Sequence, residues 1–326
     1  YVSGAVAILR QAWPQLRPEQ TVQLLFRTAR DLGAPGVDEV YGWGLIDLNK
    51  ATQPFGSLVA NVTAAGPKAL TPNTAVVGTL MAKTTSFLNG SQFEDQFGRN
   101  FSVQLGDAVM STKSRSFQHP YLGLDGSLIQ SFSDGAITAM QSRDGLAFNV
   151  RRKAFDIEFG ASAAQRQVLG TFMDGYLGVA GSSNKWVAIG ANVQSGDWFA
   201  AIKTYLGHTS VANSAASAVH FTDLLSFSSA AELTKLGIFT HNDMLTLRTR
   251  PVNRVIRGHV GVTRIRGYQF EPAEDGQSYV ALPQLDTQSF GVGAFQPTQV
   301  GLTYRRPMKR GLSLALDGSF STASKL

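Results

Sequence analysis

Five histidines, His119, His208, His220, His241 and His259, are the side chains whose ordinary pKa suits proton transfer near neutral pH. None stands in a His-x-x-x-His or His-Glu-x-x-His spacing, which would set two zinc ligands on one helix face. They read as isolated loop or strand residues. His241, Asn242 and Asp243 run together, so a distant serine would complete a triad, but the same three residues read as a turn. No Gly-x-Ser-x-Gly elbow presents a serine anywhere in the chain. Glu271, Glu274 and Asp275-Gly276 gather carboxylates of the kind calcium takes, yet lack the alternating acidic positions of a calcium loop and read as a solvated loop. Asp174-Gly175 and Asp317-Gly318 read as turns.

Two basic clusters, Arg151-Arg152-Lys153 and Arg305-Arg306 with Lys309-Arg310, suit the phosphates of a lipid surface or are charged strand ends in water. Asn61-Val62-Thr63 and Asn100-Phe101-Ser102 match glycosylation sequons, which are common by chance. These patterns assign no catalytic, cofactor-binding or metal-ligating residue within the chain. The net charge of +6 is spread along the sequence without a nucleic-acid-binding signature, so no nucleic-acid partner is expected. Cysteine is absent, which excludes a disulfide framework, a thiolate metal site and a cysteine nucleophile. With charged residues at 16% and 33 glycines in 326 residues, the composition favours a glycine-punctuated β-rich protein.

The elements that would position such residues fall into two parts. From Tyr1 to Trp13, Val2, Ala5, Val6, Leu9 and Trp13 recur at helical spacing, and Pro14 stops the helix. A second helix starts at Pro18, with Glu19 at the positive end of its dipole, Val22, Leu25, Phe26 and Ala29 as the inward face and Gly33 as the breaker. Tyr41-Gly42-Trp43-Gly44-Leu45-Ile46-Asp47-Leu48 then makes a tight turn into a short helix ending near Ala51.

In order and spacing these three pieces resemble the end of the catalytic domain of the subtilase family. The resemblance covers about a sixth of the chain and implies a serine endopeptidase as the parent protein. In the family the nucleophilic serine lies in a Gly-Thr-Ser-x-Ala-x-Pro stretch whose proline directly precedes the position of Tyr1. The serine is therefore expected just upstream of Tyr1, with the aspartate and histidine further upstream, so the 326 residues hold none of the triad. On the same basis Val2, Val6 and Leu9 are scaffold for the nucleophile's helix. Any cofactor, calcium included, is left to the upstream catalytic domain. Arg17 departs from the usual Ser or Thr cap. The chain opens at Tyr1 inside a helical pattern, without a signal peptide, so its true N-terminus is expected upstream.

After Ala51 the composition turns to Gly, Ser, Thr, Asn and Pro, which places a boundary near residue 53. Runs of about seven to ten residues then alternate with turn signals, the length of a strand crossing a bilayer at a tilt. The clearest hairpins are Trp186 to Gln194 with Trp198 to Leu206, around Ser195-Gly196-Asp197, and Gly135 to Gln141 with Leu146 to Arg152. Val300, Leu302 and Tyr304 alternate with small residues, as do Leu312, Leu314 and Leu316 after an expected turn from Arg305 to Arg310, and Leu245 and Leu247 behave likewise.

Alternation alone does not separate a water-facing from a lipid-facing sheet. Absence of cysteine, aromatic residues assigned to strand ends (Trp186, Trp198, Tyr205, Tyr304) and interleaved arginines favour an outer-membrane-type barrel. Phe93-Glu94-Asp95-Gln96-Phe97-Gly98-Arg99-Asn100-Phe101 and Leu245 to Val252 resemble the C-terminal regions of proteobacterial autotransporter subtilases. That resemblance implies export to the outer membrane or cell exterior of a Gram-negative bacterium, protein or peptide substrates for the parent, and contact with outer-membrane lipid. The terminal Ser324-Lys325-Leu326 lacks the final aromatic typical of such barrels, which leaves a truncated C-terminus or a different kind of β domain.

The expected fold is α+β overall. Residues 1–52 form the truncated end of an α/β subtilisin-like domain, 53–115 a linker and first strands, and 116–326 a large antiparallel β domain, taken as an autotransporter-like barrel. Three functions remain open: a translocating barrel attached to a protease, a soluble β-rich binding or targeting module attached to one, and a β region that is itself an enzyme built around His241 or His220.

Overall fold

The computed structural model describes residues 1–60, 62, 68–77, 80–110, 119–125, 127–240, 243–250, 253–273, 279–292, 299–307 and 313–321. Pro18 opens the helix α2 (Pro18–Thr28), where its missing N–H has no intrahelical partner to lose. The Gln20 side chain accepts the Arg17 N–H at 3.0 Å, so the cap comes from the first turn and not from the capping residue itself. Before it lies α1 (Val2–Ala12), and after the glycine turn comes α3 (Leu48–Ala51). Gly44 has φ +94°, and a Cβ there would strike the Arg30 carbonyl, which pairs across with Leu45.

The helices bury Ala5, Leu9, Trp13, Leu16, Leu24, Leu25 and Ala51 against one another. The inward face of α2 differs from the expected one: Thr21, Leu24, Leu25 and Thr28 are buried, Val22 is exposed, and Phe26 stacks on Trp43 with centroids 4.9 Å apart. The stripe is rotated because Trp43 covers Phe26 from the glycine turn. Gly33 is not the breaker either, since α2 ends at Thr28 and Gly33 lies in the loop beyond it with φ +88°. On α1, Val2 faces outward.

The β region is dominated by one antiparallel sheet. A hairpin precedes it, β1 (Asn89–Glu94) with β2 (Asn100–Gln104). The large sheet then runs through β3 (Gln130–Ser133), β4 (Ile137–Gln141), β5 (Gly145–Arg152), β6 (Phe155–Gln165), β7 (Gly181–Ser195), β8 (Trp198–Ala212), β9 (Leu224–Leu236) and β10 (Met244–Thr249). Each strand pairs with the next in sequence, as two-residue turns such as Gly196-Asp197 permit. A short strand, β11 (Arg254–Arg257), pairs with the first part of β9. Next, β12 (His259–Pro272) and β13 (Tyr279–Gly291) form a separate three-stranded sheet with Val219–Phe221. The path ends in β14 (Gln299–Pro307), on β10, and β15 (Ser313–Ser321). Among the described residues β3 and β15, the two ends of this path, do not pair with each other.

Two expected turns are strand instead. Asp317 and Gly318 pair with Thr303 and Leu302 inside the β14–β15 ladder, and Arg305 and Arg306 belong to β14. Continuous pairing overrides the local turn preference of an Asp-Gly step. Lys309, Arg310 and Leu312 lie outside the described residues. Among the described residues no helix is long and apolar enough to cross a membrane.

Candidate functional site: the polar face of the large sheet

Successive side chains of a strand point to opposite faces, and in β6 the two faces have reversed environments. Phe155, Ile157 and Phe159 are exposed, while Asp156, Glu158 and Ser162 are buried. The reversal continues across the sheet. Phe148, Phe159, Val187, Leu206 and Phe227 are aligned on five neighbouring strands by the register and all face outward. Leu233, Leu247 and Leu302 form a second such row.

The opposite face holds a connected polar cluster. Glu158 Oε1 accepts from His119 Nε2 at 2.7 Å and from Trp186 Nε1 at 2.9 Å, and its Oε2 lies 2.8 Å from Lys203 Nζ. The same ammonium is 2.7 Å from Asp156, which also accepts from Asn149 Nδ2 at 2.6 Å. His119 Nδ1 accepts the backbone N–H groups of Tyr121 and Leu122 at 3.1 and 3.0 Å, so the ring proton sits on Nε2 and points at Glu158. Further along, Thr209 donates to Asn184, Asn184 to Ser162, and Ser162 to the Tyr121 carbonyl. A buried polar group is stable only with such partners.

Residues His119 to Asp125 lie along this face as an internal strap. Tyr121 stacks on Trp186 with centroids 5.5 Å apart and an interplanar angle of 18°, and its hydroxyl meets Ser226 Oγ at 3.0 Å. The Gly123 and Leu124 N–H groups donate to Asp144, and Asn253 donates to the Pro120 carbonyl. Room for the two rings comes from glycine: a Cβ at Gly160 would strike the Trp186 indole, and one at Gly207 the Tyr121 ring. Beside the strap a concavity of about 620 Å³ is lined by Arg151, Asp156, Lys203, Tyr205, Glu232 and Arg248.

Both oxygens of Glu158 are held by fixed donors, which makes it the hub of a structural ion network and not a free base. The other histidines among the described residues do not join it. His208 faces Asp223 at 3.4 Å on the surface, and His220 and His259 are exposed. His241 and Asn242 lie outside the described residues. Asp243 accepts the N–H groups of Ile238, Phe239 and Thr240 and the Tyr304 hydroxyl, the behaviour of a loop cap. Glu271 is exposed at the end of β12, while Glu274, Asp275 and Gly276 lie outside the described residues. Asp174 and Gly175 are not a free turn: Asp174 ends the strand Thr171–Asp174 and accepts the Gly175 N–H as cap of the 3-10 helix Gly175–Leu177. Among the described residues no three His, Cys, Asp or Glu side chains gather as a metal-ion site.

Arg152 and Lys153 are exposed at the β5–β6 turn, and Arg151 faces the concavity. Trp186 and Tyr205 are not at strand ends, as the sequence pattern suggested, but are buried within β7 and β8 on the polar face. Burial pushes the Glu94 carboxyl above its ordinary range, which a hydrogen bond from Tyr268 only partly offsets and nearby Asp95 reinforces.

Comparison with known proteins bears on the helices. The model of the subtilase family matches residues 1–44. Over those residues the chain is similar to the subtilase family. The chain is 40% identical over 65 residues to the Neisserial autotransporter lipoprotein NalP of Neisseria meningitidis serogroup B, covering 18% of this chain and 6% of that protein. Serotype-specific antigen 1 of Mannheimia haemolytica is 46% identical over 50 residues, 15% of this chain and 5% of its own length. The extracellular serine protease of Serratia marcescens is 37% identical over 51 residues, 16% of this chain and 5% of its own. No solved structure matches the chain.

Proposed function

We propose that the chain belongs to an exported subtilisin-like serine endopeptidase whose large antiparallel sheet is a β-barrel translocator in a bacterial outer membrane. Residues 1–52 complete the peptidase domain, residues 53–115 lead out of it, and residues 116–326 form the membrane part. The peptidase half of the reading is supported by the subtilase match and by relatives named as autotransporters or as an extracellular serine protease. On this reading the parent cleaves peptide bonds by serine acyl transfer on protein substrates. The 326 residues alone, which hold no serine in the family's nucleophile motif, are inactive.

The observation that carries the membrane half is the reversed polarity of the sheet, with apolar rows outward and charged groups inward. Water on both faces would leave Phe148, Phe159 and Val187 without burial, whereas lipid on the outer face removes them from water. Closing the sheet into a barrel also satisfies the backbone groups of β3 and β15, which lipid cannot solvate.

The test is refolding of the chain from urea into detergent micelles, with electrophoresis of boiled and unboiled samples. Two mobilities that interconvert on heating support the barrel. A monodisperse fold in detergent-free buffer, with one mobility, overturns it in favour of a soluble module. Hydrolysis of a peptide substrate by the purified chain would overturn the assignment of catalysis to residues outside it.

A further inference from the structure

The turn between β1 and β2 grips the subtilase segment with a buried ion pair. Asp95 and Arg99 are both fully buried, with Arg99 Nη2 2.7 Å from Asp95 Oδ2 and Nε 3.0 Å from the same atom. The rest of the guanidinium reaches out of its own hairpin: it donates to the Gln53 carbonyl at 2.8 Å and to the Ala51 carbonyl at the end of α3. It lies 4.7 Å from the Trp13 ring and 5.2 Å from the Phe101 ring. Asp95 accepts the N–H groups of Phe97 and Arg99 and, across the junction, that of Phe55 at 3.1 Å. Two side chains of the segment answer: Trp13 donates to the Asn100 carbonyl and Gln15 to the Gly98 carbonyl. Phe55, Phe97 and Phe101 pack against the helical core.

The other end of the same hairpin is fixed in the β region. Phe93, Leu88 and Leu105 are buried in the main core, and Phe93 meets Tyr176 edge-on at 4.9 Å. Arg264 of β12 donates to the Phe87 and Asn89 carbonyls at 2.7 and 2.8 Å and stacks over Phe87. One hairpin therefore stands in both cores.

We propose that the β1–β2 hairpin is a rivet that holds the subtilase segment on the β region after the backbone between them is cut. Pulling the segment away would strip two carbonyls from a buried guanidinium and expose Trp13, Phe55, Phe97 and Phe101 together. A break between Gly56 and Ser57, ahead of Leu58, Ala60 and Val62, which belong to the main core, then leaves the two pieces associated. The rivet does not depend on whether the large sheet lies in lipid.

The experiment places a recognition sequence for a specific protease between the exposed Gly56 and Ser57 of the full chain. The chain is cut under conditions that keep it monodisperse and passed over a sizing column. The expected result is co-elution of both pieces from the chain carrying Arg99. Separation of those pieces overturns the proposal, and this arm needs no further variant. Arg99→Met is expected to abolish co-elution after cutting. Co-elution of cut Arg99→Met, from an uncut form whose circular dichroism matches the parent, overturns the role given to Arg99. Phe97→Ala removes aromatic contact without stranding a charge, so it serves where Arg99→Met does not fold. Retention of the cut Phe97→Ala pieces at the parent's level likewise counts against the rivet.

Discussion

Glu158 and Phe159 are neighbours in the chain and opposites in environment: the carboxylate is 1% exposed and the ring 52%. A sheet with one face in water places the ring inward and the charge outward. Here the charge is inward, held by His119, Trp186 and Lys203, and the ring lies in a row with Phe148 and Val187. The same reversal runs through the neighbouring strands, and on the proposed reading an apolar solvent covers the outer face.

That condition predicts the response to a charge on the outer row. Val187→Arg should weaken folding into lipid vesicles by about 2–4 kcal/mol if the site lies near the bilayer midplane. Urea titration of the vesicle-bound chain measures it. An effect within about 0.5 kcal/mol, normal for a water-exposed strand position, would contradict the reading.

The inner cluster predicts a different pattern. Glu158→Leu leaves the His119 and Trp186 donors without their acceptor and Lys203 with Asp156 alone. A loss of about 3 kcal/mol or more is expected, because a buried ion pair broken on one side strands its partners. Lys203→Met should cost less in the Glu158→Leu background than in the parent, which a double-mutant cycle on urea midpoints reads directly. Additive losses would show that the two side chains act separately.

Gly207 makes room for Tyr121, so Gly207→Val should push the strap off the sheet. A destabilisation of about 1–3 kcal/mol is expected from overpacking. Loss of the near-ultraviolet dichroism of the Tyr121–Trp186 stack should accompany it. Retention of that signal at full stability would mean that the strap has space to spare.

Local signals were readable where they acted locally. Pro18, the Gly42 and Gly44 turn and the Gly196-Asp197 turn marked their elements because each restricts its own backbone. The subtilase segment was legible for the same reason, as an ordered set of such signals. Alternation in β10 and β14 revealed strands but could not say which face is inside, and that choice decides between water and lipid. Glu158, His119 and Lys203 carried no motif because they come from three separate places along the chain. Arg99 stood in the Phe93–Phe101 stretch, but its reach out of the hairpin was hidden, since the Gln53 and Ala51 carbonyls lie 46 and 48 residues away. Trp186 and Tyr205 were misplaced at strand ends because aromatic residues suggest interface belts, while here the interior takes large rings, with Gly160 on the facing strand making room for Trp186.

The central claim concerns which side of the sheet meets lipid, and the absence of native cysteine makes it directly measurable. Val187→Cys and Ala188→Cys, on adjacent positions of β7, are each labelled with a small fluorophore, and the chain is folded into vesicles containing brominated lipid. The outer label at residue 187 should be quenched strongly and the inner label at 188 weakly. Equal quenching, or none at residue 187 in a correctly folded chain, would contradict the account.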